Sequence, residues 1–217
     1  MSLVLGRPMQ TKIEKIDSSS AIAIKIIEDQ EVEAMDFLSF REKLSFANIS
    51  HPEKKREWAT ARLAIYDALN LLQEPYPGFF KDEHGKSQSM NGRGFVSLSH
   101  TPGYASAIYH RDQAVGIDMD LIREKILRIG KRFLDSSELD FLEKDPEHYT
   151  MAWSAKESIF KCQGKRGVSF RENILLEPFS KESMVIKGKI RGTDFADHHY
   201  AVQVKKLGNV ILTYTIW

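Results

Sequence analysis

The stretch between Asp145-Pro146 and Gly164 contains no proline or glycine after Pro146, and it fixes one long helix in this chain. An aspartate ahead of a first-turn proline is an N-cap signature, and glycine supplies the left-handed residue at which a helix stops. At 3.6 residues per turn, Ala152, Ala155, Ile159 and Cys162 share an apolar face, and Trp153, Glu157 and Lys161 line up on another. A carboxylate and an amine thus stand one turn apart. A plain surface ion pair is one reading, since Glu four residues before Lys is the favoured order and contributes about 0.2–0.5 kcal/mol. The rest of the chain decides what this helix serves.

Ahead of it, Ala21 to Ile27 is rich in β-branched residues and reads as a buried strand. From Asp29 to Ser50 the pattern is helical but irregular, and Pro52 opens a clearer helix that Pro75, Pro77 and Gly78 bring to an end. Lys54, Lys55 and Arg56 decorate its first turn, either as a solvated face or as an anion contact. The polar stretch Lys81 to Gly94 reads as a loop. Phe95 to His100 and Tyr104 to His110 then form a hairpin about Thr101-Pro102-Gly103, which puts Ser99 and His100 at a strand-to-turn junction.

The next strand, Ala114 to Asp120, alternates with a period of two. Val115, Ile117 and Met119 face one way, and Asp118 and Asp120 face the other, about 6.6 Å apart. At an effective dielectric near 20, two carboxylates at that separation repel by about 2.5 kcal/mol, so the pair calls for a cation or a basic partner. A strand edge dipping into solvent is the alternative.

Leu121 to Phe133 is a basic amphipathic segment, and Asp135-Ser136-Ser137-Glu138 has capping-box spacing for a short helix. After the long helix, Lys165-Arg166-Gly167 form a loop, and strands follow at Met184 to Ile190, Tyr200 to Lys205 and Val210 to Trp217. Gly208-Asn209 turns the last pair. Strand, helix and hairpin therefore recur in the same order before and after about Gln113. The expected fold is α+β, with an N-terminal lobe over residues 1–113 and a C-terminal lobe over 114–217.

The 217 residues carry a formal net charge of +1, which excludes binding to nucleic acid through a global basic charge. The single cysteine, Cys162, excludes an internal disulfide framework and fits a reducing compartment. Met1 to Gln10 holds too short an apolar run for a signal peptide, and no later run is long enough to cross a bilayer, so a cytoplasmic protein without membrane contact is expected.

Asp118, Asp120 and Glu157 make three carboxylates, flanked by Lys156 and Lys161. Magnesium binds through few carboxylates and completes its shell with water and phosphate oxygens, so the set suits a Mg²⁺–phosphate site and a phosphate ester or anhydride substrate. His100 and Lys86 are candidates for further cationic contacts, and Arg56 or Arg62 for a planar phosphate fork.

The run WSAKESIFK, preceded by VGIDMD, SLSH, HGK and KREWATAR, resembles the two-lobed 4′-phosphopantetheinyl transferases named for the surfactin enzyme. Those enzymes carry a G-[IV]-D-x-E strand, a W-[ST]-x-K-E-x-x-x-K helix, an S-H turn, a G-K-P loop and an arginine-bearing early helix in this order. The resemblance implies two pseudo-symmetric lobes, each a long helix on a small, mainly antiparallel sheet, with the active site in the cleft between them. By the same resemblance Asp118, Asp120 and Glu157 are Mg²⁺ ligands, and Lys161 neutralises the coenzyme A pyrophosphate. Ser99 and His100 contact its phosphates, Lys86 lies beside the adenine, Arg56 reaches the 3′-phosphate, and Lys156 belongs to the motif. Asp120 stands where Glu is usual and Ser87 where Pro is usual.

The implied reaction moves the phosphopantetheine arm of coenzyme A to a serine of an acidic apo carrier protein and releases adenosine 3′,5′-bisphosphate, with Glu157 and Lys161 as catalytic residues. Leu121 to Phe133 is the candidate docking face, and a monomer is expected. The rivals are a Mg²⁺-dependent nuclease or phosphodiesterase and a non-catalytic coenzyme A or carrier-binding module.

Overall fold

The computed structural model describes residues 11–27, 35–164, 167–191 and 197–217. Met1 to Gln10, the start of the irregular helical segment and Lys165-Arg166 lie outside the described residues.

In chain order the first half holds β1 (Lys12–Lys15), β2 (Ser20–Ile26), α1 (Phe40–Ala47), α2 (Pro52–Leu71), β3 (Phe79–Lys81), β4 (Ser87–Ser89), β5 (Phe95–Thr101) and β6 (Tyr104–His110). The second half holds β7 (Val115–Leu121), α3 (Lys125–Phe133), α4 (Ser136–Phe141), α5 (Pro146–Gln163), β8 (Ile174–Leu176), β9 (Val185–Ile190), β10 (His198–Leu207) and β11 (Val210–Ile216). One sheet runs β1-β2-β6-β5 and another β7-β11-β10-β9-β8, with β3-β4 as a small ribbon. Every pairing is antiparallel.

Strand alternation sets the layers. Ala21 and Ala23 of β2 and Ala107 of β6 pack with Ala64, Ile65, Ala68 and Leu69 of α2, small residues letting the helix lie close. The alternate residues Ile22, Ile24 and Ile108 form a separate core with Val115, Ile117, Met119, Val210 and Leu212 of the second sheet. On that sheet's other face, the apolar stripe Ala152, Ala155, Ile159 and Cys162 of α5 packs with Ile186, Val202, Val204 and Ile211. The order of layers is helix, sheet, sheet, helix.

Gly116 allows α5 to cross β7 at close range: a Cβ there would stand 1.9 Å from the Ser158 carbonyl oxygen. The face of β7 that meets α5 is the one carrying Asp118. The edge strands of the two sheets, β5 and β7, run side by side. Ile117 N donates to Ser97 Oγ at 3.1 Å and Met119 N to Ser99 Oγ at 3.2 Å, so serine hydroxyls replace a backbone ladder along this seam.

The caps hold as the sequence predicts. Asp145 accepts from Glu147 N and His148 N, Gly164 sits at φ 74°, and Asp135 with Glu138 forms the capping box of α4. Two expectations need correcting. Lys81 to Gly94 is not all loop but includes β4, whose three residues are too few to show a period. The basic segment is not a single element: Leu121 ends β7, and the helix starts at Lys125. No helix among the described residues is long and apolar enough to cross a membrane.

Candidate active site

The end of β7 and the exposed side of α5 meet the end of β5 and the first turns of α2 around a cavity of about 940 Å³. Asp118 and Asp120 line it from β7, Glu157 and Lys161 from α5, Ser99 and His100 from β5, and Lys54, Glu57 and Arg62 from α2. A narrower recess of about 190 Å³ adjoins it, sharing Lys81, Leu98, Glu157 and Lys161 and adding Lys86 and Gly164. Seven of the ten residues expected at the site thus line one cavity, from segments far apart in the chain.

Lys161 does not pair with the glutamate one turn before it. Its Nζ donates to Asp118 Oδ1 at 2.7 Å and to Ser99 Oγ at 3.1 Å, and Ser99 Oγ donates to the same Oδ1 at 2.9 Å. Asp120 is held separately: its Oδ1 accepts from Leu121 N at 2.8 Å, Arg123 Nη2 at 2.8 Å and Thr101 Oγ1 at 3.3 Å. Arg123 was visible in the sequence only as part of a basic run. Its spacing of three from Asp120 was the available signal.

Glu157 makes no hydrogen bond or ion pair with the described residues. Burial, with Asp118 and Asp120 nearby, pushes its carboxyl up to about 7 against the pull of Lys161. A half-buried carboxylate without an ion-pair partner among the described residues, beside two others, is a donor set of hard oxygens that fits a divalent cation. Among the described residues no three acidic, histidine or cysteine side chains already converge on one ion position. Asp118, Asp120 and Glu157 are the residues that would hold the ion. Asp118 and Asp120 each have Oδ1 engaged by protein donors, and Glu157, which makes no such bond among the described residues, is with Asp118 the pair that would hold it with least rearrangement.

Cations crowd the opposite wall. Arg62, 5% exposed, is clamped by Glu42, with Nε 2.8 Å from Oε1, and lies 4.5 Å from the Trp58 ring. Lys81, reached by solvent but walled by protein, is drawn down to about 8 by burial and by the Arg62 and Lys161 charges. No motif or periodicity marks Lys81, which lies in a strand of three residues. His100 presents Nδ1 to Glu57 Oε2 at 3.6 Å.

Three expected contacts stand elsewhere. Arg56 is half-buried on α2 and is not among the residues lining either cavity. Lys86 lines the narrow recess, but its Nζ donates to Cys162 O at 2.6 Å, capping the last turn of α5. Lys156 does not reach the cavity: it is fully buried, with Nζ bonded to Glu138 Oε2 and to the carbonyls of Phe133, Phe170 and Ile174. Its position one residue before Glu157 turns it about 100° around the helix, into the core, so it serves the fold.

Residues 114–215 match the family model of the 4′-phosphopantetheinyl transferase superfamily. The match takes in β7, α5 and the three carboxylates and leaves out Ser99, His100 and α2. No curated protein matches the chain.

Proposed function

We propose that the chain transfers the 4′-phosphopantetheine arm of coenzyme A to a serine hydroxyl of an apo carrier protein, as a magnesium-dependent transferase of the two-lobed surfactin-enzyme type. The observation that carries this reading is the meeting of three carboxylates and Lys161 with Arg62, Lys81 and His100 around one cavity. In this reading residues 1–113 and 114–217 are pseudo-symmetric lobes. Their strand orders support it, since β2-β6-β5 and β7-β11-β10 each pair the first strand with the last strand of the hairpin that follows the long helix.

The cavity is of a size that holds a nucleotide-sized ligand, and cations drawn to the α2–β3 wall by the fold repel one another until an anion enters. Arg62, Lys81 and His100 receive phosphate oxygens there, and the remaining N–H of Lys161 faces the pyrophosphate. Asp118 and Glu157 would hold a divalent cation, which would supply Lewis-acid withdrawal of charge from a pyrophosphate. Glu157 accepts the serine proton directly or through a water. The serine oxygen forms a bond to the phosphorus that bears the pantetheine arm, the bond from that phosphorus to the bridging oxygen breaks, and adenosine 3′,5′-bisphosphate leaves with the electron pair. The exposed cations of α3 are the docking face for an acidic carrier.

Incubation with coenzyme A, magnesium and a panel of apo carriers, followed by intact mass, tests this. The expected result is a gain of one phosphopantetheine group on a carrier and release of the bisphosphate in equal amount. Cleavage of coenzyme A without modification of any carrier would establish the hydrolytic rival instead, and binding without cleavage the non-catalytic one.

A further inference from the structure

Ser99 has no hydrogen-bonding capacity left for a ligand. A serine hydroxyl offers one O–H and two lone pairs. Here the O–H goes to Asp118 Oδ1 at 2.9 Å, and the oxygen accepts Met119 N at 3.2 Å and Lys161 Nζ at 3.1 Å. The residue is 6% exposed. A phosphate taking the hydroxyl proton would have to displace Asp118, leaving that carboxylate with Lys161 as its remaining partner.

From this saturation, and resting on the transferase reading above, we infer that Ser99 is a positioning residue: its hydroxyl fixes Asp118 and Lys161 against each other and touches no phosphate. Three elements are joined at that one oxygen. β5 supplies the hydroxyl, β7 the carboxylate and amide, and α5 the ammonium. Lys161 has three N–H groups, and with two committed to Asp118 and Ser99 the third is left in a defined direction toward the cavity. Without Ser99 the ammonium keeps a single anchor and rotates about it.

Ser97 provides the matched control. It sits two residues earlier on the same face of β5 and makes the same kind of seam bond, accepting Ile117 N at 3.1 Å, yet bonds neither Asp118 nor Lys161. Ser97→Ala and Ser99→Ala each remove one hydroxyl from the joint between the sheets. They differ in what else the hydroxyl holds.

The test compares the two variants in full-length protein. Both are expected to lower Tm to a similar extent. Ser99→Ala is expected to lower kcat about tenfold, with KM for coenzyme A changed by less than about twofold, while Ser97→Ala keeps kcat within about twofold of wild type. A second readout uses protein free of metal and substrate: the Lys161 ammonium signal in lysine-selective NMR, assigned by its loss in Lys161→Arg. It is expected to broaden or vanish in Ser99→Ala and persist in Ser97→Ala. A raised KM with unchanged kcat in Ser99→Ala makes Ser99 a ligand contact and overturns the inference. So does an unchanged ammonium signal, or a Ser99→Ala variant that behaves as Ser97→Ala in both readouts. If wild-type protein modifies no carrier, the transferase reading fails, and the NMR comparison still decides the role of Ser99.

Discussion

Lys156 Nζ lies 2.6 Å from Glu138 Oε2, and neither side chain has any exposed surface. Glu138 also accepts Asp135 N and Leu176 N, so the pair ties α5 to the end of α3, the start of α4 and β8. Burial alone favours the neutral amine, and the carboxylate with three carbonyls offsets it. Lys156→Met leaves the Glu138 charge buried without a counter-charge, and a loss of about 3–5 kcal/mol in urea unfolding is expected. Lys156→Met with Glu138→Gln should recover part of that loss. Unchanged stability in Lys156→Met, with a weaker affinity for coenzyme A, would return Lys156 to the ligand site.

Gly116 sets how closely α5 approaches the acidic strand. A Cβ at 1.9 Å from Ser158 O and 2.7 Å from Cys162 N meets backbone, which has no rotamer by which to yield. Gly116→Ala is therefore expected to push α5 off β7, reducing stability by several kcal/mol, and to lower turnover in whatever fraction folds. Full activity with a native Tm would show that the helix has room to move.

The raised Glu157 carboxyl makes metal-free stability depend on pH. Its value near 7 in the fold exceeds 4.5, the ordinary value that the unfolded chain retains, so between the two the folded state holds the extra proton. Stability from this group is present in acid, declines as pH rises through that window, and is gone above about 7. Glu157→Gln removes the dependence. Its Tm relative to wild type should rise between about pH 5 and about pH 8, and added magnesium should narrow the gap by stabilising the wild-type carboxylate. A gap independent of pH would place Glu157 in a solvated setting.

Lys125, Arg128, Lys131 and Arg132 stand exposed on α3, with Ile126 and Phe133 buried beneath. Replacing Arg128 and Lys131 by Glu should raise KM for an acidic carrier about tenfold at low salt, leave KM for coenzyme A unchanged, and flatten the dependence on ionic strength. Equal salt sensitivity before and after would move the docking face elsewhere.

Much of this was legible from residue order. Asp145-Pro146 and Gly164 mark α5 because caps are local chemistry, and the alternation of Val115, Ile117 and Met119 with Asp118 and Asp120 marks the two faces of β7 because pleating is local too. What stayed hidden depends on partners distant in sequence. Lys156 and Glu157 are adjacent lysine and glutamate, and only packing decides that one meets Glu138 in the core while the other faces the cavity. Lys86 reads as a loop lysine until the end of α5 arrives beside it. Lys81 gains its meaning from Arg62 and Lys161, neither of which is near it in the chain.

The pairing of β7 with β11, from Val115 opposite Ile216 to Leu121 opposite Val210, closes a loop containing the whole second half of the chain. α5 lies inside that loop, and its docking surface on β7 is braced on one side by β11. Chain closure of this length is entropically slow, so the support that β11 gives to β7, the strand on which Asp118 meets Lys161, is a long-range contact. A ribosome-bound or prematurely ended chain lacking Val210–Ile216 would hold every acidic residue of the site and still present an unzipped edge in its place. Activity in this protein therefore depends on Val210–Ile216, a strand that supplies none of the residues lining the cavity.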